Sequence, residues 1–365
     1  MIQASVGGPA RARALATALV AAAAVVSVMA APPAHPAVKL AEFLNEGAPY
    51  PQCHASTIAE TAPGRLVAAW FGGTRERAPD VGIWVTRFES GRWAEPVEVA
   101  NGVQPDGTRH PTWNPVLFAP AGQPLMLFYK VGPSPREWWG LVRTSADGGK
   151  TWSDARRLPA PLLGPIKNKP VVLADGTWLS PSSTESDSAG WNSHFERSRD
   201  GGRTWEFIGP IARGASGLEA IQPSILFHRD GRLQALARTR NGVVAATWSN
   251  DGGSTWSALE PAALPNPNSG IDAVTLRDGR HLLVYNRSTP PPGARSGGPR
   301  YPLNVAVSSD GTHWQDVLVL EDQPVPDGYA YPSVIQAADG LVHVVYTWSR
   351  QRIKHVVLDP QALGR

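Results

Sequence analysis

The sequence predicts an all-β fold, a six-bladed β-propeller of four-stranded antiparallel blades with Asp-containing turns. Two repeats indicate this fold. A turn motif built on Ser, Asp, Gly and Trp recurs at intervals of about 50 to 60 residues, which is the length of one blade. Between its copies, two short apolar runs joined by a tight turn recur six times. With 365 residues, 42% of them hydrophobic, the chain is long enough to bury the core of such a ring.

The Asp-containing turn has four good copies and one degenerate copy. The good copies read SADGGKTW, SRDGGRTW, SNDGGSTW and SSDGTHW, and the degenerate copy is FESGRW, which ends at Trp93. In each good copy the Asp carboxylate is expected to accept backbone N–H bonds while Gly takes a positive φ. The Trp then covers the turn with its apolar face. Four aspartates are therefore predicted to be structural rather than catalytic: Asp147, Asp200, Asp251 and Asp310.

The six pairs of apolar runs predict the two inner strands of each blade. They read ASTIAETAPGRLVAAW, NPVLFAPAGQPLMLFY, KPVVLADGTWLSP, QPSILFHRDGRLQALAR, DAVTLRDGRHLLVYN and YPSVIQAADGLVHVVYT. Two β-runs joined by such a turn form a hairpin. A tandem of β-sandwiches would also contain such strands, but it would not explain the repeat length. The last unit, near IKHVVLD, has no Asp motif, so AVKLAEFL near the N-terminus is expected to supply its outermost strand and close the ring.

The first 30 residues predict an export signal. Two arginines precede an Ala/Val/Leu run from Ala14 to about Ala24, and small residues suited to cleavage follow. A membrane anchor would need a longer apolar run. We therefore expect residues 1–30 to be removed and residues 31–365 to form one exported propeller domain, periplasmic or secreted, monomeric and without a membrane span. The single cysteine, Cys53, leaves no internal disulfide.

Polar residues lie at the strand ends that would surround the mouth of the central channel, where propellers bind ligands. At the starts of the first strands these residues are Cys53, His54, Trp113, Asn114, Lys167, Lys169, Glu219, Gln222, Asp272, Tyr329 and Tyr331. At the ends of the second strands they are Arg75, Asp80, Lys130, Glu185, Arg238, Arg240, Asn286, Arg287, Arg350 and Arg352, and a Pro/Gly-rich insertion adds Arg295 and Arg300. Strand starts built only for packing would be apolar.

Cations thus converge on the mouth from at least four blades, although the formal charge of the chain is only +3. An electropositive mouth predicts an anionic ligand, and the planar fork of arginine can hold a carboxylate with two parallel bonds. The sequence has no Lys/Arg-rich run, so nucleic acid is not an expected partner. It has neither His/Cys pairs at zinc spacing nor a Gly-rich phosphate loop, so we expect no cofactor and no metal.

The repeats, which extend from Tyr50 to Asp359, resemble those of the sialidase (neuraminidase) superfamily, whose members are six-bladed propellers with such turns, called Asp-boxes or BNR repeats. The resemblance implies an exo-acting glycoside hydrolase for a terminal acidic sugar, sialic acid or a related ulosonic acid. RERAPDVGIWV resembles the family loop with the acid/base aspartate, which implies that role for Asp80. YAYPSVI resembles the segment with the nucleophilic tyrosine, which implies Tyr331, with Tyr329 in reserve.

The resemblance also implies residues that would assist this tyrosine and hold the substrate. A glutamate at the start of the fourth blade activates the tyrosine in the family, which implies Glu219. The arginines that clamp the substrate carboxylate have counterparts in ALARTR and GGPRYPLNVAVS, namely Arg238 with its neighbour Arg240, and Arg300 with Arg287 or Arg295 as alternatives. A tyrosine nucleophile, unlike a carboxylate, is not repelled by a sugar carbon that already bears a carboxylate. Asp80 would need a raised pKa to protonate the leaving oxygen and later deprotonate water, with retention of configuration.

The first blade departs from the family pattern. Sialidases carry Arg-Ile-Pro there, whereas this chain has YPQCHAS, with Cys53 or His54 in place of the first clamping arginine. A histidine weakens a bidentate grip and adds a group that titrates near neutral pH. A uronic acid therefore fits as well as a sialic or related ulosonic acid. Two alternatives stay open: a uronate-linked glycan hydrolase or lyase with His54 as a catalytic group, and a non-catalytic glycan-binding propeller.

Four further residues of the mouth are predicted to bind substrate: Arg75, Lys169, Gln222 and Asp272. Lys167 and Lys169, the two lysines of IKNKP, could instead brace the channel, and a channel carboxylate such as Asp272 or Glu185 could serve only to satisfy backbone amides.

Overall fold

The structure, a computed structural model, describes residues 4, 7–8, 35–294 and 297–364. Arg295 and nearly all of the predicted export signal, residues 1–30, lie outside them. Within the described residues the chain folds into six antiparallel sheets, five with four strands and one with an additional fifth. The predicted all-β six-bladed propeller is therefore confirmed.

Each sheet is one blade, in which the first strand lines the central channel and the last strand is outermost. Blade I contains β2 (Gln52–Ala62), β3 (Arg65–Gly73), β4 (Gly82–Glu89) and β5 (Arg92–Trp93), with β6 (Val97–Ala100) also paired to β4. Blade II contains β7 (Thr112–Phe118), β8 (Leu125–Val131), β9 (Trp139–Ser145) and β10 (Arg156–Arg157). Blade III contains β11 (Val171–Val172), β12 (Trp178–Ser186), β13 (Gly190–Ser198) and β14 (Glu206–Ile208).

The second half of the ring repeats this order. Blade IV contains β15 (Ala220–Phe227), β16 (Leu233–Thr239), β17 (Val243–Ser249) and β18 (Glu260–Pro265). Blade V contains β19 (Asp272–Thr275), β20 (His281–Asn286), β21 (Leu303–Ser308) and β22 (Gln315–Glu321). Blade VI contains β23 (Tyr329–Gln336), β24 (Val342–Trp348), β25 (Arg352–Leu358) and, outermost, β1 (Val38–Phe43). A short 3₁₀ helix, Pro360–Ala362, follows β25.

Apolar side chains fill the spaces between neighbouring blades. All seven residues of β8 and all six of β20 and of β21 are buried, because a middle strand is covered by a blade on each face. One such layer joins Val284 and Val305 of blade V to Val334 and Val344 of blade VI. Each fully buried aliphatic side chain of this kind contributes about 1.5 to 3 kcal/mol of transfer free energy.

The Asp-containing turns have the predicted structure. The Asp147 carboxylate accepts hydrogen bonds from the Thr151 amide at 2.9 Å, the Thr151 hydroxyl at 2.6 Å and the Ser145 hydroxyl at 2.8 Å. Gly148 and Gly149 have φ of 70° and 88°, which glycine adopts without steric cost. The degenerate copy keeps only a two-residue turn with positive φ at its centre, between β4 and β5.

Within the described residues, no helix has the length and hydropathy of a membrane span.

Candidate active site

The first strands of four blades are kinked at the end that forms the channel mouth. Each kink coincides with a shift in strand register and with a non-glycine residue in the left-handed backbone region. These residues are Ala55, Asn114, Gln222 and Tyr331. A left-handed conformation at such residues costs about 1 to 3 kcal/mol and is often found at functional sites. Bulges of this kind re-aim side chains, and here the side chains of Gln222 and Tyr331 meet.

The Tyr331 hydroxyl receives two hydrogen bonds from blade IV. Arg238 Nη1 donates to it at 2.9 Å and Gln222 Nε2 donates at 3.2 Å. The guanidinium of Arg300, from the insertion of blade V, lies 6.0 Å from the centre of the Tyr331 ring. Four residues that the sequence assigned to the site, from three blades, are thus brought together: Gln222, Arg238, Arg300 and Tyr331.

Arg238 is held in a fixed orientation by residues of the mouth. It is only 7% exposed, its Nε donates to Asn268 Oδ1 at 2.7 Å, and its guanidinium lies 5.1 Å from the centre of the Trp191 ring. Within the described residues, the Arg300 guanidinium makes no hydrogen bond or ion pair. Burial, followed by the positive charge of Arg238, lowers the pKa of Arg300 to about 10. Two cations held this close favour an anionic ligand between or beside them.

His54 lies in blade I, in the segment where the superfamily pattern has its first clamping arginine. It does not supply the positive charge that this arginine would carry. Its ring lies 4.2 Å from the Tyr331 ring, and its Nδ1 is 3.0 Å from the Thr347 hydroxyl. Burial and then the charges of Arg350 and Arg300 hold the pKa of His54 well below its usual value. His54 is therefore neutral at physiological pH. Its neighbour Cys53 is also buried, and burial raises the pKa of its thiol to about 12.

A third arginine, Arg350, belongs to this cluster, although it was not among the residues assigned to the site. It lies in the β24–β25 hairpin, and its carbonyl oxygen accepts a hydrogen bond from the Cys53 amide at 2.7 Å. Its side chain pairs with Glu76, and after burial its charge is the largest of the contributions that lower the pKa of His54. The sequence marked Arg350 only as one of several polar residues at the ends of second strands.

Glu219 does not contact the tyrosine, which differs from the expectation. It lies one residue before β15, where it pairs with Arg213 at 3.5 Å and with Arg240 at 3.3 Å. The residue of β15 that reaches the Tyr331 hydroxyl is Gln222, because the kink in β15 turns this position toward the channel. Arg240 itself stacks on Trp191 with its guanidinium 4.1 Å from the ring centre.

Asp80 and Arg75 lie on the exposed loop between β3 and β4. Partial burial raises the pKa of Asp80, but hydrogen bonds from the Thr74 amide at 2.8 Å and the Thr74 hydroxyl at 2.6 Å outweigh it and leave the pKa below its usual value. The raised pKa expected for an acid is therefore not present. The loop does reach the mouth, since Glu76 pairs with Arg350.

Lys169 and Asp272 brace the channel wall, so the substrate-binding role predicted for them does not fit their contacts. Asp272 is fully buried and accepts hydrogen bonds from Lys169 Nζ at 2.9 Å, the Ser224 hydroxyl at 2.7 Å and the Val334 amide at 2.8 Å. These bonds join four blades and leave the carboxylate little capacity for a ligand. In the part of the chain that the structure describes, no group of His, Cys, Asp and Glu has the geometry of a metal site.

The sequence of this chain matches a family of known proteins. The model of the BNR repeat-like domain matches residues 64–344. A sialidase of Micromonospora viridifaciens is 30% identical over 234 residues, which cover 54% of this chain and 34% of the relative. The anhydrosialidase of Macrobdella decora is 23% identical over 237 residues, or 58% of this chain and 30% of the relative. The matched segments are thus about a third of the length of these curated relatives.

Solved structures share the fold at low sequence identity. A protein of unknown function from Dyadobacter fermentans has a TM-score of 0.71 at 17% identity and covers 88% of this chain and 98% of its own. The Hadza microbial sialidase Hz136 has a TM-score of 0.72 at 16% identity, and the match covers 86% of this chain and 66% of that sialidase. The intramolecular trans-sialidase of Ruminococcus gnavus has a TM-score of 0.69 at 14% identity, and the match covers 90% of this chain and 99% of that enzyme.

Proposed function

This chain belongs to the BNR repeat-like domain family within the sialidase superfamily of six-bladed propellers, and from that premise we propose that it is an exo-acting glycoside hydrolase. Its substrate is a glycan with a terminal acidic sugar, either sialic acid or a related ulosonic acid. The export signal expected in residues 1–30 would deliver it to the periplasm or the exterior, where such glycans occur. The proposal is supported by relatives named as sialidases and by the convergence of basic residues on the channel mouth.

One observation carries the proposal. A half-buried phenol, Tyr331, lies beside two guanidinium groups, one hydrogen bonded to its oxygen at 2.9 Å and the other 6.0 Å from its ring centre. Arg238 and Arg300 would hold the carboxylate of the sugar by charge-assisted bonds. That grip would bring the anomeric carbon, which bears the carboxylate in such sugars, toward the phenol oxygen.

Tyr331 would act as the nucleophile, and the reaction would retain configuration through a covalent sugar–tyrosine intermediate. The phenol proton would leave to solvent through the open mouth, because Gln222 cannot accept it as a carboxylate could. Arg238 would stabilise negative charge on the phenol oxygen through its existing hydrogen bond. Asp80 keeps the acid/base role that the resemblance implies only as a prediction, since its lowered pKa favours the ionised form.

The test is a panel of aryl glycosides of sialic, ulosonic and uronic acids. With the preferred substrate, Tyr331→Phe should lower kcat by about 10³-fold or more, because the nucleophilic oxygen is lost. Arg238→Lys should raise KM by about ten- to a hundredfold, since a lysine keeps the charge but loses the fork. The thermal midpoints of both variants should stay near that of the wild type.

Tyr329→Phe is the matched control for the nucleophile. Tyr329 lies two residues away on the same strand, but it is buried and its hydroxyl donates to the Gln323 carbonyl at 2.8 Å. Its removal should leave kcat within about twofold of the wild type. Equal activity of the wild type and Tyr331→Phe would refute the assignment, and saturable binding without any product would indicate a glycan-binding propeller instead.

A second candidate is an enzyme that cleaves a uronate-linked glycan by hydrolysis or by elimination. It is supported by the neutral His54 ring 4.2 Å from Tyr331 and by Gln222 where the superfamily resemblance implies a carboxylate. A neutral imidazole can abstract a proton, which elimination requires. Mass spectrometry of the products distinguishes the two reactions, because elimination leaves an unsaturated sugar that absorbs ultraviolet light and lacks the mass of one water.

A further inference from the structure

Glu185 is a carboxylic acid of the mouth that none of the roles above uses. It is the next-to-last residue of β12 in blade III and is only half-exposed. In the antiparallel pair β12–β13 it lies directly opposite Trp191, so the two side chains are on the same face of the blade. Within the described residues its carboxyl group makes no ion pair, in contrast to Glu76 and Glu219.

Trp191 links this carboxyl group to the cluster around the tyrosine. The guanidinium groups of Arg238 and Arg240 lie 5.1 Å and 4.1 Å from the centre of its ring. Arg238 in turn donates a hydrogen bond to the Tyr331 hydroxyl at 2.9 Å. Glu185 is therefore a cross-strand neighbour of Trp191, on the side of the mouth where Arg238 joins Trp191 to the proposed nucleophile.

The surroundings of Glu185 favour its protonated form. Burial raises its pKa, and the charges of Arg238, Arg240 and Arg136, on the neighbouring blades and loops, oppose this effect without cancelling it. Arg136 is itself paired with Asp187 at 3.0 Å. For Asp80 the balance is the reverse: burial raises its pKa, but the hydrogen bonds from Thr74 outweigh burial and leave the pKa below its usual value. An acid catalyst that works near neutral pH needs the raised value.

We propose that Glu185, rather than Asp80, transfers the proton in the reaction, an inference that rests on the proposed function. As the Tyr331 oxygen bonds to the anomeric carbon, the bond to the glycosidic oxygen breaks, and that oxygen takes the proton from Glu185. In the second step the oxygen of a water bonds to the anomeric carbon and gives its proton to the Glu185 carboxylate. The bond between sugar and Tyr331 then breaks, the phenol oxygen takes back from solvent the proton that it released in the first step, and both side chains return to their starting states.

Glu185→Gln tests this role through the leaving group. A sugar leaving group needs a proton, whereas an aryl leaving group of low pKa departs with little help. The variant should lose about 10²- to 10⁴-fold in kcat/KM on a glycan substrate and far less on the aryl glycoside. The wild-type decline in kcat/KM as pH rises through the pKa of Glu185 should also disappear in the variant.

Two further variants serve as comparisons. Asp187→Asn removes an exposed carboxylate two residues away and should leave both substrates unaffected. Asp80→Asn should not change the ratio between the two substrates. A uniform loss on both substrates in Glu185→Gln, with an unchanged pH profile, would mean a structural role and overturn the inference, as would leaving-group dependence in Asp80→Asn. If the wild type cleaves none of the panel, the proposed function itself fails; if it cleaves and Glu185→Gln is unaffected, only the role of Glu185 fails.

Discussion

Arg350 is the residue in the best position to compensate for the arginine absent from the first blade. Its hairpin contacts the first blade through the Cys53 amide, and its charge acts on both His54 and Arg300. A cleft of about 400 Å³ is lined by Arg300 and Arg350 together. Since His54 is neutral, blade I supplies no positive charge to the mouth. Arg350, from the neighbouring blade VI, would supply the third positive charge instead. Its pairing with Glu76 keeps the guanidinium oriented while no ligand is bound.

We expect Arg350→Gln to weaken binding of an acidic sugar by about tenfold, equivalent to about 1.4 kcal/mol, with a smaller effect on kcat. Arg352→Gln is the matched control, because Arg352 lies two residues away on the same hairpin, is exposed and pairs with Glu46. Titration of each variant with the free sugar acid measures the dissociation constant. Equal constants for Arg350→Gln and the wild type would contradict this role.

The side chains that surround the mouth could be predicted from the sequence better than the contacts that they make. Tyr331, Arg238 and Arg300 meet as expected, because the repeat aligns the strand ends of all blades. The contact of Gln222 in place of Glu219 depends on where β15 kinks, and a shift of register by one or two residues does not appear in a hydrophobic pattern. The lowered pKa of Asp80 depends on Thr74, a neighbour whose hydrogen bonds are set by loop geometry alone.

At the scale of elements, the Asp-containing turns hold the outer strands of four blades. Asp251 accepts hydrogen bonds from the Ser254 amide at 3.0 Å, the Thr255 amide at 2.8 Å and the Ser249 hydroxyl at 2.8 Å. Trp256 closes the turn by donating its indole N–H to the Gly253 carbonyl at 3.1 Å and stacks on Phe195 of the preceding blade. Each turn therefore also joins one blade to the next. This local chemistry recurs in the sequence, which is why the fold could be predicted.

Asp251→Ala should lower the free energy of unfolding by about 1 to 2 kcal/mol, because it leaves turn amides without an acceptor. Partial burial raises the pKa of Asp251, but hydrogen bonds from Thr255 and Ser249 lower it to about 2. The stabilisation is thus present above the unfolded pKa of about 4 and is lost as pH falls toward 2. Denaturant unfolding between pH 7 and about 3 measures it.

Asp154→Ala is the control for the turn, because Asp154 lies beside such a turn and its carboxylate makes no hydrogen bond or ion pair in the described structure. It should change the free energy of unfolding by less than about 0.5 kcal/mol. If Asp251→Ala is as stable as Asp154→Ala at pH 7, the turn carboxylates do not stabilise the blades.

At the scale of the whole molecule, the ring is closed by a strand from the beginning of the chain. β1 pairs with β25, and Glu42 of β1 lies opposite His355. The Glu42 carboxylate accepts hydrogen bonds from His355 Nδ1 at 2.9 Å and from the Trp93 indole of blade I at 2.9 Å. His355 Nε2 lies 3.0 Å from His343 Nδ1, so the two imidazoles are hydrogen bonded. The closure therefore connects blades VI and I through one carboxylate and two imidazoles, which the sequence pattern of AVKLAEFL alone could not indicate.

This closure should make the ring sensitive to acid. Burial, followed by the charge of His355, lowers the pKa of His343 to about 4, whereas the unfolded chain takes up this proton near pH 6.5. Between these values the unfolded state binds the proton and the folded state does not, so the stability contributed by His343 is present above about pH 6.5 and declines as pH falls toward 4. At about 1.4 kcal/mol per pKa unit, the loss is on the order of 3 kcal/mol at most. His343→Gln should therefore flatten the dependence of the unfolding free energy on pH in this range. The flattening should be partial, because burial also lowers the pKa of His281 to about 4. The control is His110→Gln, at a partly exposed histidine, which should leave the pH dependence unchanged. If His343→Gln and the wild type show the same slope, His343 is not a source of acid sensitivity at the ring closure.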